Sequence, residues 1–225
     1  MARSRENVVP LYISAAAGLV LCFASVALFF SETRIFARPD ETAPEFADFL
    51  TSDANQSSLS SYSKVIVLAD CWYGLNPPAN APNILARRLA IAKRCRSIAG
   101  EIAEAMPSNG LAWVVRAQSA LVRGDIDGFL SDLKLSQRVT PNEAAKARLR
   151  VILAEANMAL LDEPARQAHI SDIRMLAGTT EGMRWIAQRY LANPEYRETI
   201  VQVIESLPDE RQRRFLGELK NSPST

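Results

Sequence analysis

The longest uninterrupted apolar segment lies near the start of the chain, from Val8 to Phe30. Its 23 residues include no charged side chain. As an α-helix the segment would be about 35 Å long, which exceeds the roughly 30 Å hydrocarbon core of a bilayer. A helix also satisfies its own backbone hydrogen bonds where water is absent. The pattern therefore predicts a transmembrane helix at residues 8–30.

The length and the flanks of this segment bear on its fate and orientation. The run exceeds the roughly 7–15 apolar residues of a secretory signal, and no small-residue cleavage site ends it. Arg3 and Arg5 precede the helix and Arg34 and Arg38 follow it, so the basic flanks differ little. We expect an uncleaved, single-pass anchor in a bacterial inner membrane. Residues 1–7 would form a short cytoplasmic tail, and the C-terminal domain would be periplasmic.

Beyond the anchor the pattern becomes that of a helical protein. Residues 31–60 are rich in Pro, Asp, Glu and Ser and are expected to form a linker. Apolar residues then recur at helical spacing, and no segment alternates as a strand would. The pattern predicts an all-α domain at residues 61–220 and a disordered tail at 221–225. The predicted helices span residues 61–75, 84–106, 109–123, 126–139, 142–161, 164–177, 180–192, 195–206 and 209–220.

Helix-capping residues mark several of these boundaries. Thr140, Pro141 and Glu143 fit a capping box, with Thr140 as the cap and Pro141 at the first helical position. Within helix 84–106 the residues Ile84, Ile91, Cys95, Ile98, Ile102 and Met106 form one apolar stripe. Because the connections are short, successive helices are expected to pack as antiparallel hairpins.

One stretch of the domain has the spacing of a known repeat. Pro107 and Pro141 lie 34 residues apart, and the segment between them carries an aromatic residue, a small residue, a turn pair and a closing proline at regular positions. These residues are Trp113, Ala117, Gly124, Asp125 and Pro141. The segment resembles a tetratricopeptide repeat, although Phe129 stands where that family usually has a small residue. The resemblance covers 34 of 225 residues. It implies an α-solenoid of helical hairpins that binds proteins without catalysis.

The composition narrows the class of protein further. Of the 225 residues 48% are hydrophobic, which excludes a disordered chain. The formal net charge is +1, so no overall field attracts nucleic acid, and no nucleic-acid partner is expected. Three cysteines are too few for a disulfide-built scaffold.

The sequence carries few residues suited to catalysis or metal binding. The single histidine, His169, is expected to be solvated or to cap a helix. Phosphate-binding, dinucleotide-binding, zinc-protease and nucleophile-elbow motifs do not occur in the sequence. We therefore predict a protein that is not an enzyme and that needs no cofactor or metal.

Cys71 and Cys95 form the one candidate disulfide. Simple antiparallel pairing of helices 61–75 and 84–106 places Cys71 nearer Arg88 than Cys95, an offset of about 10 Å. A disulfide needs Cα atoms within about 7 Å. A hairpin whose two helices are offset along their axes would close that gap. The sequence therefore leaves a disulfide and two buried thiols as equal alternatives.

The helix that contains Cys95 is also the most basic one. Arg87, Arg88 and Arg94 are candidate contacts for an anion such as a glycan or a lipid headgroup. Projected at 100° per residue, the basic residues of this helix spread around it, which favours a solvated helix.

Three functions are consistent with these patterns. The favoured one is a non-enzymatic scaffold or accessory subunit that docks other envelope or inner-membrane proteins and contacts the bilayer through residues 8–30. Assembly or export of surface polysaccharide is one setting for such a subunit. The alternative is a periplasmic module that binds an anionic glycan or lipid headgroup through the basic helix. The third is an enzyme that uses His169.

Overall fold

A computed structural model describes residues 8–41, 43, 45–52, 60–78 and 81–221. The expected tail at residues 1–7, residues 222–225 of the expected C-terminal tail and nine residues of the expected linker (42, 44 and 53–59) lie outside these residues. The described chain forms eleven α-helices and no β-strand, so the protein is all-helical. The α-helices are α1 (Val8–Thr33), α2 (Phe46–Thr51), α3 (Ser61–Leu75), α4 (Pro82–Ala105), α5 (Gly110–Val122), α6 (Ile126–Val139), α7 (Ala144–Glu155), α8 (Glu163–Leu176), α9 (Thr180–Ala192), α10 (Arg197–Glu205) and α11 (Asp209–Asn221). Short 3₁₀ segments occupy Arg34–Ala37, Met158–Leu160 and Pro194–Tyr196.

Helix α1 contains the apolar segment and continues to Thr33, three residues past the predicted end. Its stretch Tyr12–Phe30 has a mean hydropathy of 2.3, and none of these side chains is buried against the rest of the protein. Among the described helices this is the one that is long and apolar enough to cross a membrane.

Within the described residues the apolar interior consists of three clusters that follow one another along the chain. The first lies among α2, α3, α4 and α5, the second among α5, α6, α7 and α8, and the third among α7 to α11. Neighbouring clusters share helices, so no single centre holds the domain together. Helices also contact the second next helix along the chain, with α3 on α5, α5 on α7, α6 on α8 and α8 on α10.

The residues of the predicted repeat lie in α5, α6 and their connections. Trp113 donates its indole N–H to the Pro107 carbonyl over 2.8 Å, and Ala117 is fully buried. Gly124 has φ +76°, a left-handed conformation that favours glycine. Asp125 accepts the Gly128 N–H at 2.9 Å and caps α6. Pro141 is exposed just beyond the end of α6.

Phe129 stands at the position where tetratricopeptide repeats usually have a small residue. Its ring is fully buried in the second apolar cluster, where residues of α5, α7 and α8 surround it. The hairpin is therefore filled by an aromatic ring at this position. The assignment of the hairpin to a repeat stays a prediction.

The predicted capping box at Thr140 is wrong. Helix α7 begins at Ala144 after Glu143, which makes no side-chain cap hydrogen bond. Thr140 is buried, and its hydroxyl donates to the Ser136 carbonyl over 2.9 Å while it accepts from Arg150 over 3.2 Å. Because these bonds occupy the hydroxyl, it does not cap the next helix.

Two predicted helices are shorter than expected. The predicted helix 142–161 ends at Glu155 and is followed by the 3₁₀ segment Met158–Leu160. The predicted helix 195–206 begins as the 3₁₀ segment Pro194–Tyr196 before α10 starts. The two helices thus give way to tighter turns at their ends.

Cys71 of α3 and Cys95 of α4 form a disulfide with Cα atoms 5.6 Å apart. The α3–α4 hairpin is offset, as this bridge requires, because the long connection after Leu75 lets α4 start beyond the end of α3. Arg88 donates its Nε–H to the Leu75 carbonyl over 3.0 Å and fixes this offset. Both cysteines are fully buried.

Candidate functional site

Helix α4 has apolar side chains on its solvent-exposed face as well as on the face that packs against the core. Leu89 is 63% exposed and Leu85 is 45% exposed, although Ile84, Ile91 and Cys95 on the same helix are buried. The buried and the exposed apolar residues therefore lie on different faces of α4. We refer to the exposed side as the α4 surface. It forms an open groove of about 610 Å³ that is lined by Ala86, Arg87, Leu89, Ala90, Lys93 and Arg123.

Three cations border the apolar centre of the α4 surface. Arg87 forms an ion pair with Asp48 of α2. Lys93 and Arg123 form no ion pair with any residue that the structure describes. A smaller groove of about 300 Å³ adjoins at Arg87 and is lined by Glu45, Asp48, Asn83 and Ala86 as well. The arrangement suits a ligand that is apolar along its middle and acidic at its edge.

The structure does not bring the three predicted anion contacts together. Arg87 lies on the groove, but Arg88 is half-buried and holds the Leu75 carbonyl. Arg94 is also half-buried and does not line the groove. A fourth arginine of α4, Arg96, forms ion pairs with Asp125, which caps α6, and with Asp132 within α6.

The three anion contacts predicted from the sequence do not include the groove cations Lys93 and Arg123. A second apolar stripe at Ala86, Leu89 and Ala90 follows the helical spacing and is the available sequence signal for this surface. Arg123 directly follows α5 as its C-terminal cap residue. It lies beside α4 because of the way the two helices pack, and the sequence alone does not give this packing.

A cluster of polar and charged side chains is buried between α6, α7 and α8. Arg150, which is 2% exposed, forms two parallel hydrogen bonds with Asp172, both 2.7 Å long. Its remaining N–H groups reach the Ser136 and Thr140 oxygens over 3.2 to 3.4 Å. The cluster leaves a cavity of only about 10 Å³ beside it. A guanidinium this fully engaged holds helices together, and it leaves no room for a substrate.

His169 lies beside this cluster and is 4% exposed, so the expectation of a solvated or capping histidine is wrong. It falls on the inner face of α8, one turn before Asp172. Burial, and secondarily the Arg189 guanidinium, lowers the pKa of His169 to about 4. The imidazole is therefore neutral at physiological pH.

The buried histidine predicts a pH-dependent loss of stability. Between pH 6.5 and about 4 the unfolded chain binds a proton at His169 that the folded chain excludes, so the free energy of unfolding falls as the pH falls. Relative to a His169→Gln variant, the full-length protein should lose about 1–3 kcal/mol across this range. Urea unfolding in detergent, followed by tryptophan fluorescence at several pH values, measures the difference.

Asp70 provides a matched control, because its contribution to stability should change with pH in the opposite direction. Burial raises the pKa of Asp70 to about 6, although the Arg38 guanidinium lowers it. As the pH rises from about 4 to 6, the unfolded chain releases the Asp70 proton first, so stability relative to Asp70→Asn should fall. Two variants whose differences from wild type run in the same direction would contradict both assignments.

Within the described residues, no three His, Cys, Asp or Glu side chains are placed to hold a metal ion. The structure thus defines an all-helical protein with one N-terminal helix capable of spanning a membrane and an apolar, cation-bordered surface on α4. No protein-family model, curated protein or solved structure matches this chain.

Proposed function

We propose that this chain is a membrane-anchored, non-enzymatic docking subunit that binds an acidic, amphipathic segment of another envelope protein on its α4 surface. The single observation that carries the proposal is the exposure of Leu89 in a groove with two cations, Lys93 and Arg123, that have no ion-pair partner among the described residues. Leu85, one turn before Leu89 on the same helix, is exposed as well. Apolar patches rimmed by charge are typical of protein interaction sites. An acidic segment would neutralise the cations while its apolar residues covered the leucines.

Anchorage in a membrane is the second part of the proposal. It is supported by the exposed apolar side chains of Tyr12–Phe30, which the rest of the protein leaves uncovered. The Cys71–Cys95 disulfide supports a domain on the oxidising side of the membrane, because cytosolic thiols are kept reduced. In a bacterium that side is the periplasm.

A tetratricopeptide-like array is the third part. Its support is that most helices from α2 to α11 contact their second next neighbour as well as their next one, together with three apolar clusters in succession. In a solenoid each unit contacts only its neighbours, which produces this kind of succession. A non-catalytic role fits the same architecture, since the buried ion pair of Arg150 and Asp172 joins helices to one another.

Site-specific crosslinking in living cells tests the docking proposal. A photo-crosslinking residue at Leu89 should capture an exported or membrane protein through an acidic segment of that protein. Charge reversal of Lys93 and Arg123 to Glu should lower the yield by about tenfold. The matched controls are a crosslinker at Leu216, an exposed leucine of α11, and reversal of Arg213 and Lys220 on the same helix. Equal capture from Leu89 and Leu216 would contradict the proposal.

An anionic glycan or lipid headgroup is the second candidate ligand, because Arg87, Lys93 and Arg123 line one groove. The same crosslinking experiment separates the two. An adduct that survives protease digestion and contains sugar or phosphate would replace the protein partner by this ligand. Arg88→Ala and Arg94→Ala should leave either adduct unchanged, since neither residue lines the groove.

A further inference from the structure

The end of the membrane helix is bonded directly to the start of α3. Glu32 lies two residues past Phe30, about 3 Å further along the helix axis. One Glu32 carboxylate oxygen accepts the Ser60 N–H at 3.0 Å, and the other accepts the Ser63 hydroxyl at 2.7 Å. The first turn of α3 therefore lies next to the end of the apolar span.

The segment after the helix is held against α3 at a second point. Arg38 forms an ion pair with Asp70, whose side chain is fully buried on α3. Asp70 lies two turns beyond Ser63, so the segment follows α3 for about 10 Å. Contacts at both ends of this segment therefore hold it against α3.

An exposed aromatic pair lies at this junction. Phe36 and Tyr62 are each 66% exposed and stack on one another with ring centroids 6.4 Å apart. Val65, one turn beyond Tyr62, is 47% exposed. We refer to Phe36, Tyr62 and Val65 as the junction patch. Tyrosine, whose apolar ring carries a polar hydroxyl, is enriched at the membrane–water interface.

We propose that the junction patch inserts into the headgroup layer of the same bilayer that α1 spans, so that α3 begins at the membrane surface. The proposal rests on the membrane anchorage proposed above. The Glu32 bonds place the patch at the level of the interface, where its apolar surface leaves water. The chain from Glu32 to Arg38 runs along α3 towards Asp70, so we expect α3 to lead away from the bilayer, with Tyr73 about 16 Å further along its axis than Tyr62.

The test uses the full chain in vesicles of phosphatidylethanolamine and phosphatidylglycerol. A Cys22→Ser variant receives either Tyr62→Cys or Tyr73→Cys, and the new thiol is labelled with an environment-sensitive fluorophore. Both tyrosines are exposed, so neither label disturbs the core. Lipids with a nitroxide at the headgroup should quench the label at position 62 by about twofold and leave that at position 73 unchanged. The label at position 62 should also emit at shorter wavelength.

Four outcomes would overturn the inference. Equal quenching at the two positions would place α3 no closer to the bilayer at its start than near its end. A blue-shifted label at position 62 that lipid does not quench would assign the junction patch to a protein partner or a second copy. Extraction of the chain by alkaline carbonate would remove the anchorage as well, whereas resistance to carbonate with an unquenched label would overturn the junction patch alone.

Discussion

Replacing Arg150 with alanine should lower the free energy of unfolding by about 3–5 kcal/mol, the largest effect expected of any single substitution in this chain. The change leaves the Asp172 carboxylate buried without its partner, and it also removes a donor from the Thr140 carbonyl. An unpaired charge in the interior costs far more than an unpaired charge at the surface. Urea unfolding of the full-length protein in detergent, followed by circular dichroism, measures the loss.

Two further variants isolate the cause. Arg150→Met combined with Asp172→Leu removes both charges and should recover most of the loss, because no buried charge is then left unpaired. Arg148→Ala, on the same helix, breaks an ion pair with the exposed Glu181 and should cost about 1 kcal/mol or less. Equal losses for Arg148→Ala and Arg150→Ala would show that burial of the pair is not what matters.

Removal of the disulfide has the second largest expected effect. Changing Cys71 and Cys95 together to alanine should lower the free energy of unfolding by about 2–4 kcal/mol, because the bridge closes a loop of 24 residues in the unfolded chain. The same urea titration measures this change. Dithiothreitol should produce a comparable loss in the wild-type protein and none in the double variant.

Thiol counting provides an independent check of the bridge. After denaturation without reductant, a maleimide should label Cys22 alone, which is the free cysteine of the described chain. With reductant it should label all three cysteines. Cys22→Ala should abolish the first signal and leave stability unchanged, since Cys22 is exposed on α1. Three labelled thiols in the unreduced protein would contradict the bridge.

Helical periodicity predicted the inner face of α4 well and the ends of α7 poorly, for a physical reason. Ile84, Ile91, Cys95 and Ile98 repeat at helical spacing, and burial of such a stripe needs no knowledge of distant residues. The role of Thr140 depends on Arg150, ten residues away on another helix. Local capping rules do not include such a competitor, so the expected cap was wrong.

The candidate site was less accessible to sequence reasoning than the fold. Arg87 was identified because it lies in a basic helix, but Arg123 joins the groove only through the packing of α5 on α4. His169 was misassigned because an isolated polar residue on a helix gives no indication of burial. Its position one turn before Asp172 indicates burial only when it is known that Asp172 pairs with a buried arginine.

The bonds at the start of α3 also decide how mechanical force enters the domain. A pull on α1 reaches α3 through Glu32 and Arg38, and the Cys71–Cys95 bond then passes that load to α4 covalently. Helices α9 to α11 belong to a different apolar cluster and lie outside this load path. Tension applied between α1 and α4 would therefore act on a crosslinked hairpin and leave the C-terminal helices unloaded.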